Sequence, residues 1–161
     1  MTARRALLLV ALLLAGGPLW AQAGSSCQVI PKSLDAMHKC YRPLLVFSPQ
    51  TDDPRLKEQT ATLDAAADDM MDRFVMLTPI LPDAKSYQAP LDAPYTVLSQ
   101  QDMDAIRARF HIAADEFVVL LLGEDGTEKL RSTKPIPIDR LNALIDSMPE
   151  RRVEMMRPNA N

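Results

Sequence analysis

Cysteine, histidine, basic charge and long apolar runs are all scarce in this chain, and each shortage removes a class of chemistry. Two cysteines and two histidines occur among 161 residues. Cys27 and Cys40 have twelve residues between them, whereas catalytic dithiols sit mostly at C-x-x-C spacing near a helix N-terminus. His38 and His111 would need Cys40, acids or methionines to complete a metal site, and no ligand spacing supports one. Neither a metal nor another cofactor is therefore expected. Ser48 lacks the glycines of a G-x-S-x-G elbow, which removes a hydrolase nucleophile. Lys and Arg number 18 against 21 acids, a formal net charge of −3, and such a surface disfavours nucleic acid and anionic lipid as partners. The longest apolar run, residues 6–15, has ten members, against the roughly 20 that span a bilayer.

What is present begins with an export signature. Arg4 and Arg5 precede the apolar run, Gly16, Gly17 and Pro18 break it, and Ala21-Gln22-Ala23 supplies small residues for a peptidase. The expectation is a signal peptide at 1–23, cleavage after Ala23, and a periplasmic or secreted protein with no membrane attachment once cleaved. In that oxidising compartment an even cysteine pair reads as a structural disulfide, Cys27 to Cys40, pinning the N-terminal segment onto the domain. The remaining length suits one domain over 24–152, which Arg151 and Arg152 end as solvated charges, followed by a polar, frayed tail at 153–161.

Local patterns give the elements. Residues 44–47 form an apolar run between prolines, a strand buried on both faces. Asp53 then reads as an N-cap with Pro54 at the first helical position, and Leu56, Leu63 and Met70 repeat every seven residues along a helix to about Asp72. A second strand covers 74–77, and a proline-rich loop runs from Pro79 to Pro94. Ser99 and Asp102 make a capping box for a helix whose inner face is Met103, Ile106 and Phe110. The run 117–122 is a strand that an Asp-Gly turn joins to an antiparallel partner at 128–131. A last helix buries Leu141, Leu144, Ile145 and Met148 before Pro149 stops it. The order β-α-β-α-β-β-α, with parallel crossovers joining the first three strands, is an α/β arrangement of thioredoxin topology: a mixed four-stranded sheet with helices on both faces.

Three segments, RPLLVFSPQTDDPRLKEQ, FVVLLLGEDGTEKLR and IDSMPERRVEM, in this order and spacing, resemble a family of small exported bacterial domains of unknown function. That family also occurs in vertebrate sushi-repeat and coiled-coil-containing matrix proteins and is classed as peroxiredoxin-like. The resemblance runs over about residues 41–152. It implies a thioredoxin-like fold and carries over no catalytic residue. In thioredoxin-like enzymes the thiol follows the first strand, at the N-terminus of the next helix, where the dipole lowers its pKa. Residues 48–57 here contain no cysteine, and Asp52 and Asp53 bring negative charge where a thiolate would least tolerate it. The usual cis-proline before the third strand is replaced by Ala113-Ala114-Asp115-Glu116.

These readings favour a non-enzymatic module that binds a peptide or protein partner. Ligands of open α/β sheets bind outside the C-terminal strand ends, and Asp52, Asp53, Arg55, Tyr87, Tyr95 and Asp115 are the residues expected to line that groove. Thiol-disulfide exchange through Cys27 and Cys40 is the alternative. Acid-base chemistry by Asp52 and Asp53 is a third, although aspartates at a helix start are usually caps.

Overall fold

The computed structural model describes residues 27–157. The expected signal peptide at 1–23, the cleavage expected after Ala23 and residues 158–161 of the expected tail lie outside them. Strand β1, Arg42–Phe47, is buried along its whole length, as a central strand must be when helices cover both faces. Side chains alternate across it. Leu44 and Val46 enter one core with Leu56, Leu63, Met70, Val119, Leu141 and Ile145, while Leu45 and Phe47 enter a second with Met37, Met103, Ile106, Val118 and Leu120.

The other strands are β2, Val75–Ile80, β3, Val118–Leu122, and β4, Glu128–Ser132, in the sheet order β2-β1-β3-β4. β1 and β2 are parallel, as expected. β3, however, runs antiparallel to β1, with Phe47 opposite Val118, so the expected parallel crossover into the third strand is wrong. The chain between β2 and β3 explains the reversal. It leaves the C-terminal end of β2, returns, and climbs alongside β2 a second time through a parallel bridge between Leu77 and Tyr95. It therefore reaches β3 from the same end at which β1 and β2 finish.

β2 also extends through Thr78 and Pro79 to Ile80, beyond the span of 74–77 that its apolar pattern marks. The backbone N–H and C=O of Leu77 face the outer side, bonding the Pro94 carbonyl and the Thr96 amide. By alternation Pro79 points its missing N–H away from β1 too, where a proline costs the sheet no bond.

The helices are α1 (Leu34–Met37), α2 (Pro54–Asp64), α3 (Ala67–Asp72), α4 (Gln100–Arg109), α5 (Ile138–Asp146) and α6 (Pro149–Met156). Asp53 caps α2 and Ser99 caps α4, as their sequences require. The continuous helix expected to Asp72 is broken at Ala65 and Ala66, and both pieces keep their heptad-spaced residues inward. Buried Gln59 of α2 accepts from the Ile136 amide at 2.6 Å and donates to its carbonyl at 3.2 Å, satisfying the connection between β4 and α5.

The largest departure is at the C-terminal end. Pro149 stops α5 but also opens α6 as its first residue, where a proline loses no helical bond. Residues 150–156 are helical rather than frayed, and Arg151 is buried. Its guanidinium pairs with Asp72, Asp146 and Glu154.

Candidate functional site

The C-terminal ends of β1 and β2 face the N-terminus of α2, which is where this topology places its chemistry. Ser48 follows β1 and is buried; its amide donates to the Ile80 carbonyl and its hydroxyl to the Gln50 carbonyl at 2.8 Å. Asp53, buried as well, accepts from the Arg55 amide at 2.8 Å, from Nε at 3.0 Å and from Nη2 at 2.6 Å. The Arg55 guanidinium holds the Asp53 carboxyl below its usual range and lies 4.7 Å from the centre of the Phe117 ring. The position suited to a thiolate is therefore filled by a carboxylate and a guanidinium that neutralise one another. A hydroxyl pair, Thr51 and Ser86 at 2.8 Å, ties this turn to the loop after β2.

Arg107, which sequence reasoning missed, joins the strand ends. Its Nη1 donates to the Ala113 carbonyl at 2.6 Å, and its Nη2 to the Ile80 carbonyl at 3.0 Å and the Ser48 carbonyl at 3.4 Å. The guanidinium lies 5.5 Å from the centre of the Phe47 ring, and burial lowers its pKa from the ordinary value. One cation thus satisfies the carbonyls where β1 and β2 end and where the chain turns towards β3. From sequence it reads only as a basic residue in the last turn of α4, a common complement to the helix dipole. An Arg107→Met variant is expected to lose about 1–3 kcal/mol, since three carbonyls lose a charged donor. Chemical denaturation followed by circular dichroism measures that loss.

The expected groove residues divide into separate places. Asp53 and Arg55 meet at the α2 start; Asp52 and Asp115 are exposed on the turns flanking it. Tyr87 instead packs against the core that holds Leu56, and burial pushes its hydroxyl above the usual phenol range. Its replacement would disturb packing rather than a free surface. Tyr95 lies beside Leu77, midway along β2 on its outer edge, and not at the strand ends. The loop that carries both is pinned by Asp64 at the end of α2, whose carboxylate accepts from the amides of Leu91, Asp92 and Ala93.

The cysteines occupy the opposite pole. Cys27 and Cys40 form a disulfide, and Cys40 lies two residues before the start of β1. At about 3.3 Å per residue, the six-residue strand alone puts roughly 16–20 Å between that bond and the α2 N-terminus. Next to it Arg42, 1 % exposed, pairs with Glu154 at 2.7 Å and Glu124 at 3.1 Å. Arg73 pairs with Asp146 at 2.8 Å and Asp69 at 3.2 Å. Arg42 and Arg151 tie α6 to the start of β1 and to α3, and Arg73 ties α3 to α5. The three segments carrying the family resemblance all contribute to this pole, through Arg42, Glu124 and the trio Asp146, Arg151 and Glu154.

No helix among the described residues is long and apolar enough to cross a membrane, and no group of three or more His, Cys, Asp or Glu among them could hold a metal ion. The chain belongs to the family described as domain of unknown function DUF4174, which matches residues 33–154. No curated protein matches it. Among solved structures it is similar to the reduced 2-Cys peroxiredoxin of Plasmodium vivax, at 16% identity and a TM-score of 0.57, with 74% of this chain and 84% of that one covered. A thioredoxin peroxidase of Plasmodium yoelii gives 16% and 0.55 over 80% and 84%. A cysteine-to-serine mutant of the peroxiredoxin 6 of Arenicola marina gives 15% and 0.51 over 84% and 78%. At these identities the likeness shows a thioredoxin-like fold and nothing finer.

Proposed function

We propose that this DUF4174 member is an exported, non-catalytic binding module, built on a thioredoxin-like scaffold, that recognises a peptide or protein segment carrying positive charge. The observation that supports this most is the closed Asp53–Arg55 pair at the start of α2, the position from which thiol chemistry would run. The pair leaves the exposed carboxylates of Asp52 and Asp115 to set the sign of the surface around it. Arg107 is occupied by backbone carbonyls and offers little to an anion there. The solved structures named as peroxiredoxins share the fold, while the cysteines of this chain lie in a disulfide at the other end of the sheet.

The pre-reduced protein is expected to consume no hydrogen peroxide and to reduce no insulin disulfide above the buffer rate. A rate that is abolished by Cys27→Ser would overturn the proposal and establish exchange through Cys27 and Cys40 instead. For the binding half, a peptide array should show capture of Lys- and Arg-containing sequences, lost in the Asp52→Lys/Asp115→Lys double variant. Capture that ignores peptide charge, or survives that variant, refutes the surface.

A further inference from the structure

The segment that climbs outside β2 leaves an unguarded edge. The Thr96 amide donates to the Leu77 carbonyl and the Leu77 amide to the Pro94 carbonyl, so residues 94 and 96 turn their polar groups inward. Alternation turns the N–H and C=O of Tyr95 and Val97 outward, and no hydrogen bond joins them to any described residue. Apolar side chains gather around this edge: Ile30 is 63% exposed, Tyr95 39% and Val97 41%. Between the N-terminal arm and residues 95–99 lies an open groove of about 770 Å³.

The opposite edge of the sheet is defended in the ways natural proteins use. β4 carries Glu128, Lys129 and Arg131, two of them paired at 2.8 Å, and a register irregularity interrupts its ladder. Residues 95–97, by contrast, are Tyr, Thr and Val and carry no charge. We infer that this edge is a homodimer interface, where a second copy of the chain adds antiparallel to Tyr95, Thr96 and Val97.

An antiparallel two-fold centred on Thr96 sets Tyr95 of each copy opposite Val97 of the other. Each such pair exchanges two N–H···O bonds, and the contact is isologous, using one patch twice. The patch is also complementary to itself in charge. Lys32 on the arm and Asp102 on α4 both line the groove, so each copy brings one cation and one carboxylate to the contact. This surface is separate from the edge that carries Asp52 and Asp115, and the two proposals stand or fall independently.

Sedimentation of the mature chain over a micromolar to millimolar range tests the inference. The expected result is a concentration-dependent doubling of mass, accompanied by slowed exchange of the Tyr95 and Val97 amides. Val97→Lys, and separately Ile30→Lys, should raise the dissociation constant at least tenfold while leaving the circular dichroism spectrum unchanged. Using both guards against a variant that fails to fold. A monomer at every concentration overturns the proposal, as does a dimer that survives both variants or protects the β4 amides instead. A monomer that binds an extended peptide at residues 95–97 would also overturn it, assigning the edge to a different partner.

Discussion

Replacing Arg42 by methionine is expected to cost about 3–5 kcal/mol, the range seen when one partner of a buried ion pair is removed. Methionine fills most of the space but leaves the Glu154 and Glu124 carboxylates facing each other without the cation between them. It also removes the Nη1 bond to the Arg73 carbonyl at 2.9 Å, which holds the turn before β2. The two carboxylates should respond oppositely to neutralisation. Burial raises Glu124 above its ordinary 4.5 against the pull of Arg42. For Glu154 burial acts upwards too, but the hydrogen bonds and charge of Arg42 prevail and hold it below 4.5. Asp146 is likewise held below 3.8, chiefly by Arg73.

The signs follow from these directions. Carboxylates depressed in the folded state contribute stability that is present above their ordinary values and is lost as pH falls through the lower folded values. Glu124 contributes in the reverse sense, with stability present below its ordinary value and lost as pH rises through the raised one. At neutral pH, Glu154→Gln is therefore expected to destabilise, whereas Glu124→Gln should be close to neutral or stabilising. Wild-type stability should decline in acid below the ordinary carboxylate range, and the decline should be shallower in Glu154→Gln. Urea midpoints taken at several pH values between about 3 and 7 distinguish these outcomes. Equal losses for the two glutamine variants at neutral pH would contradict the assignment.

Breaking the disulfide by the Cys27→Ser/Cys40→Ser double replacement should cost about 3 kcal/mol, the chain-entropy value for a loop of this length. For a domain of this size that corresponds to a melting temperature lower by roughly 10 °C. The bond closes an arm that contributes more than its own loop. Ser33 caps α1, whose Met37 is completely buried in the second core. The Tyr41 hydroxyl donates to the Gln28 carbonyl at 2.7 Å, and the Thr96 hydroxyl reaches the Pro31 carbonyl at 2.7 Å. Loosening the arm should thus reach the groove beside Tyr95, where Ile30 and Lys32 form one wall, while leaving the Asp53–Arg55 pair at the other pole intact. Calorimetry with and without reductant measures the thermal shift. Faster exchange of the Thr96 amide in the reduced protein, without change at Arg55, checks its location.

The sequence by itself determined the parts whose causes are local. A continuous apolar run is enough to make β1 and β3 central strands, because only a strand covered on both faces can hide both sets of side chains. Asp53 and Ser99 mark the starts of α2 and α4 because each can satisfy an amide two or three residues ahead. Gly126, with φ at 73°, fixes the turn into β4. The empty thiol position was legible as well, since it needs only the identity of residues 48–57.

Tertiary structure alone decided what depends on distant partners. Residues 150–156 carry a polar pattern that reads as a tail, and they become a helix because Arg151 reaches Asp72, 79 residues away, and Glu154 reaches Arg42, 112 residues away. The direction of β3 was decided by the return of the chain along β2, and the burial of Tyr87 by the core beneath its loop. Arg107 became the tie between strand ends only because three carbonyls, from Ser48, Ile80 and Ala113, converge on its guanidinium. Such contacts leave no periodicity in the chain, because charge pairing and carbonyl capture depend on position in space and not on spacing along the sequence.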